Sequence, residues 1–130
     1  MSRCSDVYAP KFEKVDVLDL QPEWGKLDLE KRGDLIACSL HQVGERITPK
    51  KYDAIIGNWS LCYLGFTDIE NVLTVIKDGL KTNGYLLLKE PILKENEEVP
   101  WLCPSGQWQH IRPRHVYQEY FDQMFKEVKT

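Results

Sequence analysis

Long apolar runs are what this sequence most plainly lacks. Nothing near Met1 to Pro10 has the apolar core of a signal peptide, and no later stretch is long enough to span a bilayer. Export and membrane association are therefore not expected, and the cytoplasm or nucleus is the expected setting. Cysteine is scarce too. The four residues, Cys4, Cys38, Cys62 and Cys103, are widely spaced and form no Cys-x-x-Cys pair. That spacing argues against a zinc site, so no metal is expected, and the thiols are expected to be reduced. Cys38 and Cys62 sit in apolar stretches and read as small core residues rather than nucleophiles. A surplus of basic charge is also missing: 17 Lys and Arg stand against 20 Asp and Glu, a net charge of -3. Neutralising phosphates calls for clustered bases, so no nucleic-acid footprint is expected. The small clusters Lys50-Lys51 and Arg112 to Arg114 read as solvated surface. Repeats and low-complexity tracts are absent.

What is present is an alternation of short elements. With 130 residues there is room for one core, and the chain reads as a single partial domain whose first 13 residues are poorly defined. Lys14 to Leu20 is β-branched, alternating and closed by Gln21-Pro22, as a strand would be. Leu35 to Cys38 is a second apolar run, and Tyr52 to Gly57, after Pro49, is a third. Continuous apolar runs suit a parallel sheet covered on both faces. A helix follows, with Thr67 or Asp68 as cap and Glu70 completing a capping box. Ile69, Val72, Leu73, Ile76 and Leu80 recur at helical spacing, and Asn83-Gly84 is the expected stop. Tyr85 to Lys89 is then a strongly apolar strand, which completes a βαβ unit with a right-handed crossover. All four strands are expected to be parallel neighbours in one sheet. The proline-rich span 91–112 reads as a long loop, and Pro113 opens a last helix, Arg114 to Met124, with Val116, Tyr120, Phe121 and Met124 on its apolar side. Phe125 to Val128 reads as the beginning of a further strand.

In an open α/β sheet, ligands collect outside the carboxyl ends of the strands. Asp19 ends the first strand, where an acid can accept hydrogen bonds from both ribose hydroxyls; a turn or cap is the plainer reading. Ser39 to Gln42 follows the second strand and can bond an adenine edge, or can be a polar connector. Asn58-Trp59 follows Gly57, which lets the backbone approach a ligand closely, although Trp59 can equally be core. Glu90 ends the strongest strand, where a carboxylate can take a proton, orient an amine or cap a loop.

Lys51 to Trp59, the helix, and Leu80 to Glu90 together resemble the fourth strand, helix and fifth strand of class I S-adenosylmethionine-dependent methyltransferases. Within that superfamily the chain resembles the protein α-amino N-terminal methyltransferases, which modify proteins beginning X-Pro-Lys. Their fourth strand ends in Gln-Trp, where this chain has Asn58-Trp59; their second strand ends in an aspartate, matched by Asp19. A Cys-Gly-Leu-Gln stretch after their third strand is met by Cys38-Ser39-Leu40-His41. Three features depart from the pattern. No G-x-G turn precedes Asp19, Tyr63 stands where the family has a histidine, and the family's Asp-Asn pair is Glu90-Pro91.

The resemblance implies a partial Rossmann-like α/β fold, mainly parallel, without the glycine-rich first strand and turn. It implies S-adenosylmethionine as cofactor, with binding by this chain alone expected to be weak or absent for want of that turn. Asp19, Leu20 and Gln21 would hold the ribose, Leu40 and His41 the adenine, and Asn58 the methionine end. Trp59 and Tyr63 would line the substrate channel, and Glu90 would be the catalytic base. A protein N-terminus is the implied substrate. Two alternatives stay open: a non-catalytic binding or scaffolding protein that keeps the fold, and an inactive fragment. A missing first strand also leads one to expect self-association or a partner that donates a strand.

Overall fold

The computed structural model describes residues 11–58, 60–93, 99–102 and 108–129. The readings placed on Cys4, Trp59, Cys103, the first ten residues and the acidic stretch Glu95 to Glu98 lie outside the described residues. The chain divides into two compact units, Met1–Thr48 and Pro49–Thr130.

In the first unit, β1 (Val15–Asp19) pairs in parallel with β2 (Arg32–Ala37). The register sets Leu18 against Ile36 and Asp19 against Ala37. Pro22 and Gly25 leave the connection no room for a full helix, and it makes only a 3-10 turn, Leu29–Lys31. β2 begins at Arg32, earlier than its apolar run, because the Asp34 amide donates to Asp16 Oδ1 at 2.8 Å and draws the polar residues into the ladder. Leu27, Ile36, Cys38 and Val43 form this unit's buried core, each contributing roughly 1.5–3 kcal/mol if wholly removed from water. Cys38 is thus the core residue its surroundings suggested.

The second unit is built on a βαβ element. β3 (Tyr52–Asn58) lies parallel to β4 (Leu80–Lys89), and the helix α1 (Phe66–Gly79) connects them. Ile69, Val72, Leu73, Ile76 and Leu80 are all buried, which is what their spacing predicts. The helix limits differ from expectation. Gly65 is the N-cap and no side chain caps the helix, so the Thr67–Glu70 capping box does not form. The helix also stops at Gly79, and Asn83-Gly84 lies inside β4 instead of ending α1. Tyr52 faces Leu80 but Ala54 faces Tyr85, so Lys81 to Gly84 bulge out of the ladder, with Asn83 at a left-handed φ of 67°. Gly84 allows the bulge to fold tightly: a Cβ there would stand 2.9 Å from the Lys81 carbonyl oxygen and 3.2 Å from that of Asp53.

The span 91–112 is not a plain loop. It carries β5 (Ile92–Leu93), β6 (Val99–Leu102) and β7 (Trp108–Pro113), with β7 central, parallel to β5 and antiparallel to β6. Pro91 directly precedes β5 and Pro100 is the second residue of β6, near strand margins where a missing amide costs little. The last helix, α2 (Arg114–Met124), starts after Pro113. Its buried residue is Tyr117, which lies one position from Val116 and is not among the residues that read as its apolar side. Phe125 to Val128 forms no strand: the Phe125 amide donates to the Phe121 carbonyl at 2.8 Å, and its ring packs edge-on against Phe121.

Within each unit the principal strands form a parallel pair, β1–β2 in the first and β3–β4 in the second. Among the described residues, no helix is long and apolar enough to cross a membrane.

Candidate functional site

The densest polar constellation lies in the second unit, where β3 and β4 end. Beyond Asn58 the chain makes a 3-10 turn, Leu61–Tyr63, in which Leu61 and Cys62 are wholly buried. Glu90, directly after β4, reaches the start of this turn. Its Oε1 accepts from the Ser60 amide at 3.0 Å, the Ser60 hydroxyl at 3.2 Å and the Leu61 amide at 2.8 Å. A carboxylate is well suited to this place, because the first amides of a helical turn have no partner within it and carry partial positive charge. The other end of the turn is held by Arg112, which donates to the Leu61 carbonyl at 3.1 Å and to the Leu64 carbonyl. Arg112 has no exposed surface at all, which corrects its reading as solvated. The strand pairing explains the burial: β7 sets Arg112 opposite Ile92, two positions beyond Glu90. No local signal marks that pairing, since it depends on strands inside the supposed loop.

Among the described residues, three side-chain oxygens of this unit are buried without a hydrogen-bond partner, the Tyr117 hydroxyl and two acceptors at the strand ends. Asn58 Oδ1 and Glu90 Oε2 are buried and have no hydrogen-bond partner. They belong to neighbouring strand ends, because Asn58 is in register with Lys89 and Glu90 follows directly. Gly57 serves this packing: a Cβ would meet Leu88 at 2.7 Å and the Ser60 hydroxyl at 2.8 Å. Tyr63 stands on the turn, 38% exposed. Behind the turn, burial pushes the Tyr117 phenol up to about 12; the Glu90 charge adds to the shift, and Arg112 opposes it.

In the first unit, Asp19 is exposed and its Oδ1 accepts from the Leu20 amide at 2.7 Å, a local turn of the kind acids favour. Leu20 is 59% exposed, unusual for a leucine at a strand end, and Gln21 is exposed beside it. Leu40 and His41 open a 3-10 turn, Leu40–Glu45, that follows β2. Val43 anchors this turn in the core, and Arg46 donates to the Ala37 carbonyl at 3.1 Å. Parallel pairing thus delivers Asp19, Leu20 and Gln21 and then Leu40 and His41 from adjacent strand ends. Trp59 lies outside the described residues. Among the described residues, no cluster of His, Cys, Asp and Glu is arranged to hold a metal ion.

These parallel pairs with a helical crossover define a class: the fold is that of class I methyltransferases. A S-adenosylmethionine-dependent methyltransferase from Leishmania major superposes with a TM-score of 0.69 over 86% of this chain and 45% of its own, at 21% identity. The 1,6-didemethyltoxoflavin-N1-methyltransferase of Burkholderia thailandensis, solved with its substrate and S-adenosylhomocysteine, gives 0.67 over 85% and 49%, at 14% identity. In sequence, the chain is similar to the N-terminal Xaa-Pro-Lys N-methyltransferase 2 of Danio rerio, 30% identical over 95 residues. That match takes in 68% of this chain and 34% of the relative, so the chain spans about a third of that protein. No family model matches the sequence.

Proposed function

We propose that this chain is part of a S-adenosylmethionine-dependent methyltransferase whose acceptor is the α-amine of a protein N-terminus. The observation that carries this reading is the pair of buried oxygens without partners, Asn58 Oδ1 and Glu90 Oε2, at the ends of β3 and β4. A buried acceptor left unsatisfied costs about 1–3 kcal/mol, which a donor-bearing ligand would recover. Both ammonium groups of the proposed reaction are such donors: that of the cofactor's methionine portion and that of the acceptor. The printed name of the Danio rerio relative supports the choice of acceptor.

S-adenosylmethionine, when bound, supplies a methyl group on an electrophilic sulfonium. Asn58 Oδ1 accepts a hydrogen bond from the methionine ammonium. Glu90 Oε2 faces the acceptor amine, holds it by one N–H and is the candidate to take its proton, since only the neutral amine has a lone pair to attack with. Tyr63, on the 3-10 turn, is assigned to the acceptor's approach, where the resembled family has a histidine. In the first unit, Asp19, Leu20 and Gln21 are assigned to the ribose, and Leu40 and His41 to the adenine. Alignment supplies most of the rate in such a transfer. The cytoplasm or nucleus is the proposed setting, where free protein N-termini and the cofactor meet.

A non-catalytic binding role is the second reading. It is favoured by Pro91, which cannot offer the side-chain amide that the resembled family places after its acid. Transfer of labelled methyl from S-adenosylmethionine to a peptide beginning Ser-Pro-Lys decides between them. Label on the free-amine peptide and none on its N-acetylated form supports the methyltransferase. Binding of the free-amine peptide without any transfer supports the second reading.

A further inference from the structure

The Arg112 guanidinium is the largest fully buried side chain described in the molecule, and none of the roles assigned above uses it. Burying a cation without a task is costly, since its desolvation has to be met by well-placed partners. The partners here are informative. Two of its nitrogens close on the carbonyls of Leu61 and Leu64, at the far side of the 3-10 turn. Glu90 closes on the amides of Ser60 and Leu61 at the near side. Leu61 is bound from both directions, its N–H by the acid and its carbonyl by the base. The turn is thus a rigid spacer between two opposite charges, and charge-assisted bonds fix both ends.

We infer that Arg112 is a positioning residue, which sets the 3-10 turn so that Glu90 Oε1 is taken up by the turn amides and Glu90 Oε2 is left to face the acceptor amine beside Asn58. The inference rests on the function proposed above for the meaning of that direction, but the geometry it invokes belongs to the protein without ligand. A planar fork is needed for it. Two donors in a fixed plane can meet two carbonyls three residues apart, whereas a lysine ammonium, a point charge on a flexible stem, cannot hold both at once. The arginine arrives from β7, so the far strand of the 91–112 segment, rather than β3 or β4, fixes the aim of the acid.

The test is an amide NMR spectrum of the whole chain, with and without S-adenosylmethionine, for wild type, Arg112→Lys, Arg112→Met and Glu90→Gln. Glu90→Gln identifies how the Ser60 and Leu61 amide signals respond when the charge they bond is removed. The expected result is that both Arg112 variants move these two signals in the ligand-free protein, while signals from the α1 core residues Ile69 and Leu73 stay in place. Lysine should recover only part of the displacement. An arginine that merely stabilises the unit would lower the melting temperature and leave the Ser60 and Leu61 signals unmoved, and that outcome overturns the inference. Loss of the fold in both variants overturns it as well, because Arg112 would then hold the unit instead of aiming one carboxylate. If S-adenosylmethionine fails to shift Asn58 in the wild type, the proposed function is refuted, and the ligand-free spectra still decide the role of Arg112.

Discussion

Replacing Glu90 separates its geometry from its charge. In Glu90→Ala the amides of Ser60 and Leu61 lose the oxygen they share at 3.0 and 2.8 Å, and the Ser60 hydroxyl loses its acceptor at 3.2 Å. A buried donor left without an acceptor costs about 1–3 kcal/mol. The hydroxyl can turn to another partner, but the two amides cannot. With some water reaching a half-buried site, the expected loss is roughly 2–4 kcal/mol. Glu90→Gln keeps a carbonyl oxygen where Oε1 stands and gives up only the charge assistance, so its expected cost is roughly 1–2 kcal/mol. Urea denaturation at matched slopes measures both, since a shift of midpoint with constant slope reports stability alone. If alanine costs less than about 0.5 kcal/mol, the acid does not hold the turn. Equal losses for alanine and glutamine would mean that charge, and not the place of the oxygen, carries the effect.

Further outcomes follow from the same packing. Tyr117 is neutral and buried, with its phenol raised from 10.0 to about 12; the folded state therefore holds a proton that the unfolded chain releases first. Its contribution is complete below pH 10 and should fall by about 2 kcal/mol as the pH rises from 10 to 12, a decline that Tyr117→Phe should flatten in denaturation series across that range. Leu73, with no exposed surface on α1, should cost about 2–5 kcal/mol on truncation to alanine; a loss under 1 kcal/mol would mean the helix is not packed as described. Among the described residues β3 has β4 as its one strand partner and β1 has β2. Open edges recruit strands, so sedimentation at low micromolar concentration should find the chain associated with itself or with a strand-donating protein. A stable monomer with a cooperative melt would count against that.

The parts of the fold legible in the sequence are those where one local pattern decides. The buried face of α1 follows from apolar residues at three- and four-residue steps: Ile69, Val72, Leu73 and Ile76 are buried on the helix, and Leu80, next in the series, is buried at the start of β4. The parallel pairing of β3 with β4 follows from two apolar runs joined by one helix. What escaped depends on contacts distant in sequence. Asn83-Gly84 has the composition of a helix stop, but the pairing of β4 with Tyr52 ends the helix earlier and turns that dipeptide into a bulge. The strands β5, β6 and β7 are too short, and too interrupted by proline, to show a period. With them went Arg112, which lies between Ile111 and Pro113 like any surface arginine and is buried only because β7 pairs with β5. Asn58 and Glu90 were legible only as polar residues at strand ends, and the structure brings them to the ends of neighbouring strands.

The central claim is that the strand ends of this chain address S-adenosylmethionine, and one titration tests it most directly. An isotope-labelled sample is titrated with the cofactor, and the amide signals of Leu20, His41 and Asn58 are followed together. The account predicts saturable shifts at all three, with a dissociation constant weaker than about 10 μM, worth less than roughly 7 kcal/mol, because the sequence holds no G-x-G turn to cradle the methionine portion. No shift at any of the three up to about 1 mM, the edge of weak specific binding near roughly 4 kcal/mol, would contradict it.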